Sequence, residues 1–193
     1  MKLRGLYAIT PEGGDLERKV RLALEGGVAL LQYRRKTRDV TQARTIVELA
    51  REFQVPVIIN DDVELALELG ADGAHLGRDD GDLPAARRRL GQKWLGASCY
   101  NAAGLAHAAV EAGADYVAFG SVFASPTKPA AVRAPLALFQ EARQLGVPLA
   151  AIGGITLENA RSALDAGAMG LAVITDLLNG DPKARARAFI ECI

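Results

Sequence analysis

The sequence predicts an α/β fold, a closed (β/α)8 barrel, and three observations carry that reading. One short phrase recurs along the chain. Eight apolar runs alternate with amphipathic stretches. The polar residues able to do chemistry cluster just after the apolar runs. Parallel strands need helical crossovers, and enough of them close into a barrel whose active site lies at the C-terminal rim of its strands.

The phrase reads Leu69-Gly-Ala-Asp-Gly-Ala-His-Leu-Gly77, then Ala112-Gly-Ala-Asp-Tyr-Val-Ala-Phe-Gly120, then Ala166-Gly-Ala-Met-Gly-Leu-Ala-Val-Ile174. A weaker copy spans Glu25 to Gln32. Each copy ends a helical pattern with glycine, turns, and enters a short apolar strand, so one unit is reused around the chain. Eight strands are predicted: Leu6 to Thr10, Leu30 to Arg34, Pro56 to Asp61, Gly73 to Gly77, Leu95 to Cys99, Tyr116 to Val122, Pro148 to Gly153 and Gly170 to Thr175. Their near-continuous apolar character fits a sheet covered by helices. Between them, apolar residues recur at helical spacing, as in Leu16, Val20, Ala23 and Leu24, or Ile46, Leu49, Ala50 and Phe53. Asp15, Thr41 and Thr156 are candidate helix starts, and Gly26, Gly70, Gly91, Gly113, Gly146 and Gly167 mark helix ends.

The 193 residues form one predicted domain, 1–193, with eight units of about 24 residues each, compact beside the roughly 250 residues of a usual barrel. An open doubly wound sheet would want a glycine-rich phosphate turn after the first strand, and Pro11-Glu12-Gly13-Gly14 is not that fingerprint. Lys plus Arg and Asp plus Glu both number 23, which argues against a nucleic-acid or membrane-surface binder. Any bound anion must be held by local geometry. Cys99 and Cys192 form no spacing pattern, and no signal peptide or membrane-length apolar run is present, so a cytoplasmic location is expected. Assembly into a homo-oligomer is left open by the sequence.

Two anion sites emerge at the predicted rim. Strand two ends in Gln32-Tyr33-Arg34-Arg35-Lys36. This run can be read as a solvated charge cluster, yet Gln32 is an amide inside an apolar strand, and alternation places Gln32, Arg34 and Lys36 on one face. Such a set can hydrogen-bond a heterocycle and pair with phosphate oxygens. Asp61 and Asp80 follow strands three and four. Asp61 or Asp62 can cap the third helix and Asp82 the fourth. The other reading of Asp61 and Asp80 is a Mg²⁺ site, because Mg²⁺ is held by one or two carboxylates plus waters and substrate phosphates. The second anion site falls at Gly153-Gly154 and Ile174-Thr175, where these barrels commonly bind phosphate, although the glycines can equally serve only to turn the chain. Ser125-Pro126-Thr127-Lys128, after strand six, offers two hydroxyls and a cation, or is a plain loop. His75 reads as packing within a strand and Cys99 as an inert thiol.

With QYRRK, IIND, HLGRDD, the strand-five serine, SPTK, AIGGI and the closing VIT in order, the chain resembles the thiamine phosphate synthases over essentially its whole length. The resemblance implies a barrel enzyme that joins 4-amino-2-methyl-5-(diphosphooxymethyl)pyrimidine to a thiazole phosphate, releasing pyrophosphate, with Mg²⁺ as cofactor and small molecules as its only substrates. It implies that Gln32, Tyr33, Arg34, Arg35, Lys36, Asn60, Ser98 and Lys128 bind the pyrimidine diphosphate. Asp61 and Asp80 would hold Mg²⁺. Ser125, Pro126, Thr127, Gly154, Ile174 and Thr175 would bind the thiazole phosphate. Arg34, Lys36 and Lys128 would stabilise charge on the leaving group. Ser125 and Thr175 exchange the family's usual threonine and serine while keeping the hydroxyl, and Arg78 replaces a frequent glutamine. A thiazole tautomerase of the same fold would need neither the Asp61/Asp80 pair nor the Gln32-Arg34-Lys36 set. A non-catalytic binder of thiamine intermediates is the alternative of a different class.

Overall fold

The computed structural model describes residues 3–124 and 132–193, and in it eight parallel strands close into a barrel in chain order. They are β1 Gly5–Ile9, β2 Leu30–Tyr33, β3 Val57–Asn60, β4 Gly73–Leu76, β5 Trp94–Tyr100, β6 Tyr116–Phe119, β7 Leu149–Ile152 and β8 Gly170–Val173. The outer ring holds α1 Leu16–Glu25, α2 Val40–Glu52, α3 Val63–Glu68, α4 Leu83–Leu90, α5 Ala103–Glu111, α6 Ala137–Glu141 with a 3-10 turn at Ala142–Leu145, and α7 Leu157–Ala166. The chain ends in a short α8 Thr175–Leu178 and α9 Pro182–Cys192. The expected fold is therefore the observed one. No helix among the described residues is long and apolar enough to cross a membrane.

The recurring phrase has a physical cause. Gly70, Gly113 and Gly167 take positive φ (+62°, +93° and +115°) and release the chain from α3, α5 and α7. The following Ala71, Ala114 and Ala168 are buried under the turn. Asp72 and Asp115 then reach sideways to the preceding strand. Asp72 Oδ2 accepts from Val57 N at 2.8 Å, and Asp115 Oδ2 accepts from Leu95 N at 2.8 Å. Each carboxylate satisfies an amide at the N-terminal end of a neighbouring strand and so helps set its register. In the third copy Met169 replaces the carboxylate, keeps its backbone bonds to Leu149 O (2.8 Å) and from Gly5 N (2.9 Å), and stays exposed.

Alternation divides the strands between two cores. Leu6 and Ala8 face the helices, in a shell that includes Leu31, Ile59, Val117 and Leu171. Tyr7, Ile9, Leu30, Ile58, Tyr116 and Ala118 fill the barrel interior. Each fully buried Leu or Ile stabilises the fold by about 1.5–3 kcal/mol through apolar area removed from water. Gly96 of β5 makes room for Tyr116 and His75, because a β-carbon there would collide with the Tyr116 ring and with His75 Nδ1.

The helix starts follow the expected chemistry with one correction. Asp15 accepts from Arg18 N (3.3 Å), and Thr156 forms a capping box with Asn159. At α2 the cap is Asp39 rather than Thr41, since the Asp39 carboxylate reaches Gln42 N at 2.9 Å. Strand six also ends early, at Phe119 rather than Val122. Beyond it Val122 N and Phe123 N still donate to the carbonyls of Ile152 and Gly153, both at 3.0 Å, so the segment folds along the top of β7.

Candidate active site

At the C-terminal rim the strands open into a cavity of about 980 Å³, large enough for two small substrates. Its wall on the β2–β4 side carries Arg34, Asn60, Asp61, Arg78 and Asp80. Its opposite wall carries Gly153, Gly154, Ile174, Thr175 and Arg185. Gln32, Tyr7, His75 and Ser98 face it from below.

Parity within β2 sorts the basic run. Gln32 and Arg34 face the cavity. The Arg34 backbone is fixed by the buried Thr10 hydroxyl, which accepts from Arg34 N (2.8 Å) and donates to Arg34 O (3.0 Å). Tyr33 and Arg35 point the other way, toward α2. The Tyr33 hydroxyl lies 3.2 Å from Asp39 O, Arg35 Nε donates to Gln42 Oε1 at 2.7 Å, and the guanidinium sits over the Tyr33 ring at 5.5 Å. Lys36 lies beyond the strand end, exposed, with its amide on Glu12 Oε1 (3.0 Å). Strand alternation no longer controls it there.

Asp61 and Asp62, adjacent in sequence, take different roles. Asp62 caps α3 by accepting from Leu65 N at 2.7 Å and pairs with Arg38 at 2.9 Å. Asp61 adopts a left-handed φ of +61°, which turns its carboxylate into the cavity, beside the Asn60 amide. Partial burial and the neighbouring Asp80 carboxylate push the Asp61 carboxyl up to about 6, against the opposing pull of Asn60 and Arg34. Asp80 accepts from Gly77 N at 3.0 Å. No group of three His, Cys, Asp or Glu residues able to hold a metal occurs among the described residues. The donor set is thus two crowded carboxylates, an all-oxygen pair with an unfavourable charge that a hard divalent cation would relieve. Those residues fit Mg²⁺ completed by water and phosphate oxygens.

Across the mouth, the Arg78 guanidinium stacks on Tyr100 at 4.8 Å while Arg78 N donates to Tyr100 Oη at 3.1 Å. Tyr100 also has a left-handed φ (+49°) at a β-bulge ending β5, so two strained non-glycine residues flank the same opening. On the far wall the glycines have steric reasons to be there. Gly154 has φ +64°, and a β-carbon on it would strike the carbonyl of Ala124. Arg185 reaches over from α9, donating to both oxygens of Asp176 (2.7 and 3.0 Å). Ser125, Pro126, Thr127 and Lys128 lie outside the described residues.

Sequence reasoning missed the cavity roles of Tyr7, Tyr100, Asp176 and Arg185, and read His75 only as packing. Buried hydrogen bonds join Gln32 to Tyr7 (2.6 Å), Tyr7 to Tyr116 (2.9 Å), Tyr116 to His75 Nδ1 (3.0 Å) and His75 Nε2 to Ser98 (2.9 Å). Burial lowers His75 to about 4 and raises both tyrosines, so the whole floor is neutral near pH 7. The interior phase that Tyr7 shares with Ile9 was the available signal. Cys99 is buried and its thiol is pushed up to about 12, in keeping with an inert sulfur.

Comparison with known proteins bears on what this cavity serves. Residues 6–177 match the family model described as "Thiamine monophosphate synthase". The chain is 58% identical to the thiamine-phosphate synthase of Aromatoleum aromaticum, covering 97% of this chain and 95% of that protein. It is 54% identical to the thiamine-phosphate synthase of Methylobacillus flagellatus, covering 97% and 94%. Among solved structures it resembles the thiamine phosphate pyrophosphorylase of Pyrococcus furiosus, with TM-score 0.87, 31% identity and coverage of 97% and 94%. The chain belongs to the thiamine monophosphate synthase family.

Proposed function

We propose that the rim cavity joins 4-amino-2-methyl-5-(diphosphooxymethyl)pyrimidine to a thiazole phosphate, with the two substrates on opposite walls. The reaction is that of the family: a transferase step giving thiamine phosphate and pyrophosphate. The observation that carries the placement is the division of one cavity. Arg34, Asp61 and Asp80 occupy one wall, Gly154, Ile174 and Thr175 the other, and a neutral polar floor lies between. The aminopyrimidine rests on Gln32 and Ser98, with its diphosphate toward Arg34 and Asn60. The thiazole phosphate rests on the Gly154, Ile174 and Thr175 side. Ser125, Pro126, Thr127 and Lys128 complete this assignment from the sequence, Lys128 toward the diphosphate and the others toward the thiazole phosphate. Tyr33 and Arg35 act indirectly, by holding β2 against α2, and Lys36 supplies positive charge beyond the strand end.

Asp61 and Asp80 would hold Mg²⁺, which when bound supplies neutralising charge to the diphosphate. The protein's own contribution is electrostatic and positional. The electron-rich aminopyrimidine expels pyrophosphate and leaves a pyrimidine methyl cation, which the thiazole nitrogen captures. Arg34, with Lys36 and Lys128, stabilises the charge developing on the leaving group. The far-wall anchor holds the thiazole nitrogen in line with the reacting carbon. The uncharged floor keeps the pyrimidine free of a competing anion. Two unpaired cysteines accord with a cytoplasmic setting.

The test is pyrophosphate release by purified protein given both substrates, with and without Mg²⁺, and thiamine phosphate identified by oxidation to fluorescent thiochrome. Metal-dependent formation of both products in equal amount is expected. Isomerised thiazole phosphate without pyrophosphate would mark a tautomerase and overturn the reading.

A further inference from the structure

The floor of the cavity is one unbranched hydrogen-bond chain: Gln32, Tyr7, Tyr116, His75, Ser98, drawn from β2, β1, β6, β4 and β5. Its middle members are all but inaccessible, with Tyr7 1%, Tyr116 0% and His75 6% exposed. Both ends face the ligand cavity. Each tyrosine hydroxyl has two partners in the chain, and it owns one proton to give. The neutral imidazole likewise has one N–H and one lone pair, both engaged. With each buried hydroxyl accepting once and spending its own proton within the chain, the four links have only two consistent arrangements. Either every donor points from Gln32 toward Ser98, or every donor points back.

We infer that this relay locks the hydrogen-bonding sense of Gln32 to that of Ser98, so that the edge of the bound pyrimidine sets the tautomer of His75. In the forward arrangement the Gln32 amide N–H donates to Tyr7, leaving its carbonyl to accept from a ligand amino group. His75 then carries its proton on Nε2 and gives it to Ser98 Oγ. The Ser98 hydroxyl is left to donate to a ring nitrogen. An acceptor at one end and a donor at the other complement a neutral 4-aminopyrimidine. The reverse arrangement needs the Gln32 amide turned over from the orientation seen, in which its nitrogen faces Tyr7, so that its carbonyl accepts from Tyr7. It then presents a donor at Gln32 and an acceptor at Ser98, and places the imidazole proton on Nδ1. That arrangement complements a 4-oxo ring, whose carbonyl accepts and whose ring N–H donates. Mixed arrangements leave a buried hydroxyl proton with no acceptor in the chain, a lone pair facing a lone pair, or two protons in one link, and burial penalises each of these. Desolvation keeps every member uncharged, so polarity is the variable that the relay transmits. Tyr7, Tyr116 and His75 are thus positioning residues acting through Gln32 and Ser98.

This rests on the reading of the cavity as an aminopyrimidine site, and the experiment separates the two. The chain has two histidines, so the His107→Gln variant isolates the signal of His75. Long-range ¹H–¹⁵N correlation spectra distinguish the Nε2–H from the Nδ1–H imidazole. They would be recorded with the pyrimidine diphosphate in the absence of thiazole phosphate, and with its 4-oxo analogue. The Nε2–H form is expected with the amino ligand and the Nδ1–H form with the oxo ligand. In Tyr116→Phe the tautomer should stop following the ligand, while Tyr7→Phe provides the same break one link away should Tyr116→Phe fail to fold. The same tautomer with both ligands, an imidazolium, or no binding of the oxo analogue would overturn the relay. Thiochrome assay of the amino-ligand sample after thiazole phosphate and Mg²⁺ are added tells the failures apart. Product with an unresponsive His75 refutes the relay alone, whereas no product and no ligand response removes the site reading with it.

Discussion

Replacing Gly96 by alanine asks the barrel interior for space it does not have. A β-carbon at this position would overlap the Tyr116 ring and hydroxyl and His75 Nδ1. Tyr116 cannot retreat, because it is fully buried with the rings of His75, Trp94 and Tyr7 at 5.4, 6.0 and 6.1 Å. Overpacking of this kind costs about 1–3 kcal/mol. Loss of the Tyr116–His75 hydrogen bond adds about 1 kcal/mol. The extra buried methyl returns roughly 0.8 kcal/mol. The net expectation is a destabilisation of about 1–3 kcal/mol, or a fall in Tm of roughly 2–12 °C for a chain this long. The matched control is Gly104→Ala in α5, where a β-carbon would meet nothing within 4 Å. Alanine there should stabilise by about 0.5–1 kcal/mol through helix propensity. Urea unfolding of both variants is the assay. If Gly96→Ala unfolds within about 0.5 kcal/mol of the parent, the crowded floor is not a structural constraint and the reasoning fails.

Other perturbations follow from the same geometry. His75 titrates near 4 in the fold and at 6.5 when free, so the unfolded chain binds its proton first. Stability contributed by neutral His75 is therefore complete above pH 6.5 and is lost between pH 6.5 and about 4, by about 3 kcal/mol. Asp61, raised to about 6, contributes with the opposite sign, gaining stability as pH falls. On going from pH 7 to 4.5 the parent should therefore lose more stability, or gain less, than His75→Asn by urea midpoint, and equal changes in the two would refute the assignment. Asp61→Asn keeps a residue tolerant of the left-handed φ of +61°. It should lower kcat at least about 100-fold, the scale of a lost transition-state charge contact. The KM for thiazole phosphate should stay within about threefold on the differential-binding argument. Near-normal turnover in Mg²⁺ would show that Asp61 holds no metal. Thr10→Val keeps the volume but strands Arg34 N, and should cost about 1–3 kcal/mol in unfolding experiments.

What the sequence revealed and what it hid divide along physical lines. The barrel was legible because helix ends and strand starts repeat, and Asp72 and Asp115 show why the repeat exists. Gln32 was legible because an amide inside an apolar strand has few structural uses. Tyr7 and Tyr116 were not, because tyrosine reads as an ordinary strand residue until its hydroxyl partners are known. Arg34 and Arg35 look alike in a basic run, and only strand parity separates the cavity wall from α2. Thr41 and Asp39 are both competent helix starters two residues apart, and reach to Gln42 N decides between them. Arg185 was beyond any local pattern, since it comes to the cavity from α9 at the far end of the chain.

The central claim is that one cavity holds both substrates on opposite walls. A crystal structure of the protein with thiamine phosphate, pyrophosphate and Mg²⁺ tests it most directly. The account predicts the pyrimidine on Gln32 and Ser98, the thiamine phosphoryl group by Gly154, Ile174 and Thr175, and pyrophosphate between Arg34 and the Asp61/Asp80 pair. Product bound with its phosphoryl group on the Asp61 side, or outside the rim cavity altogether, would contradict it.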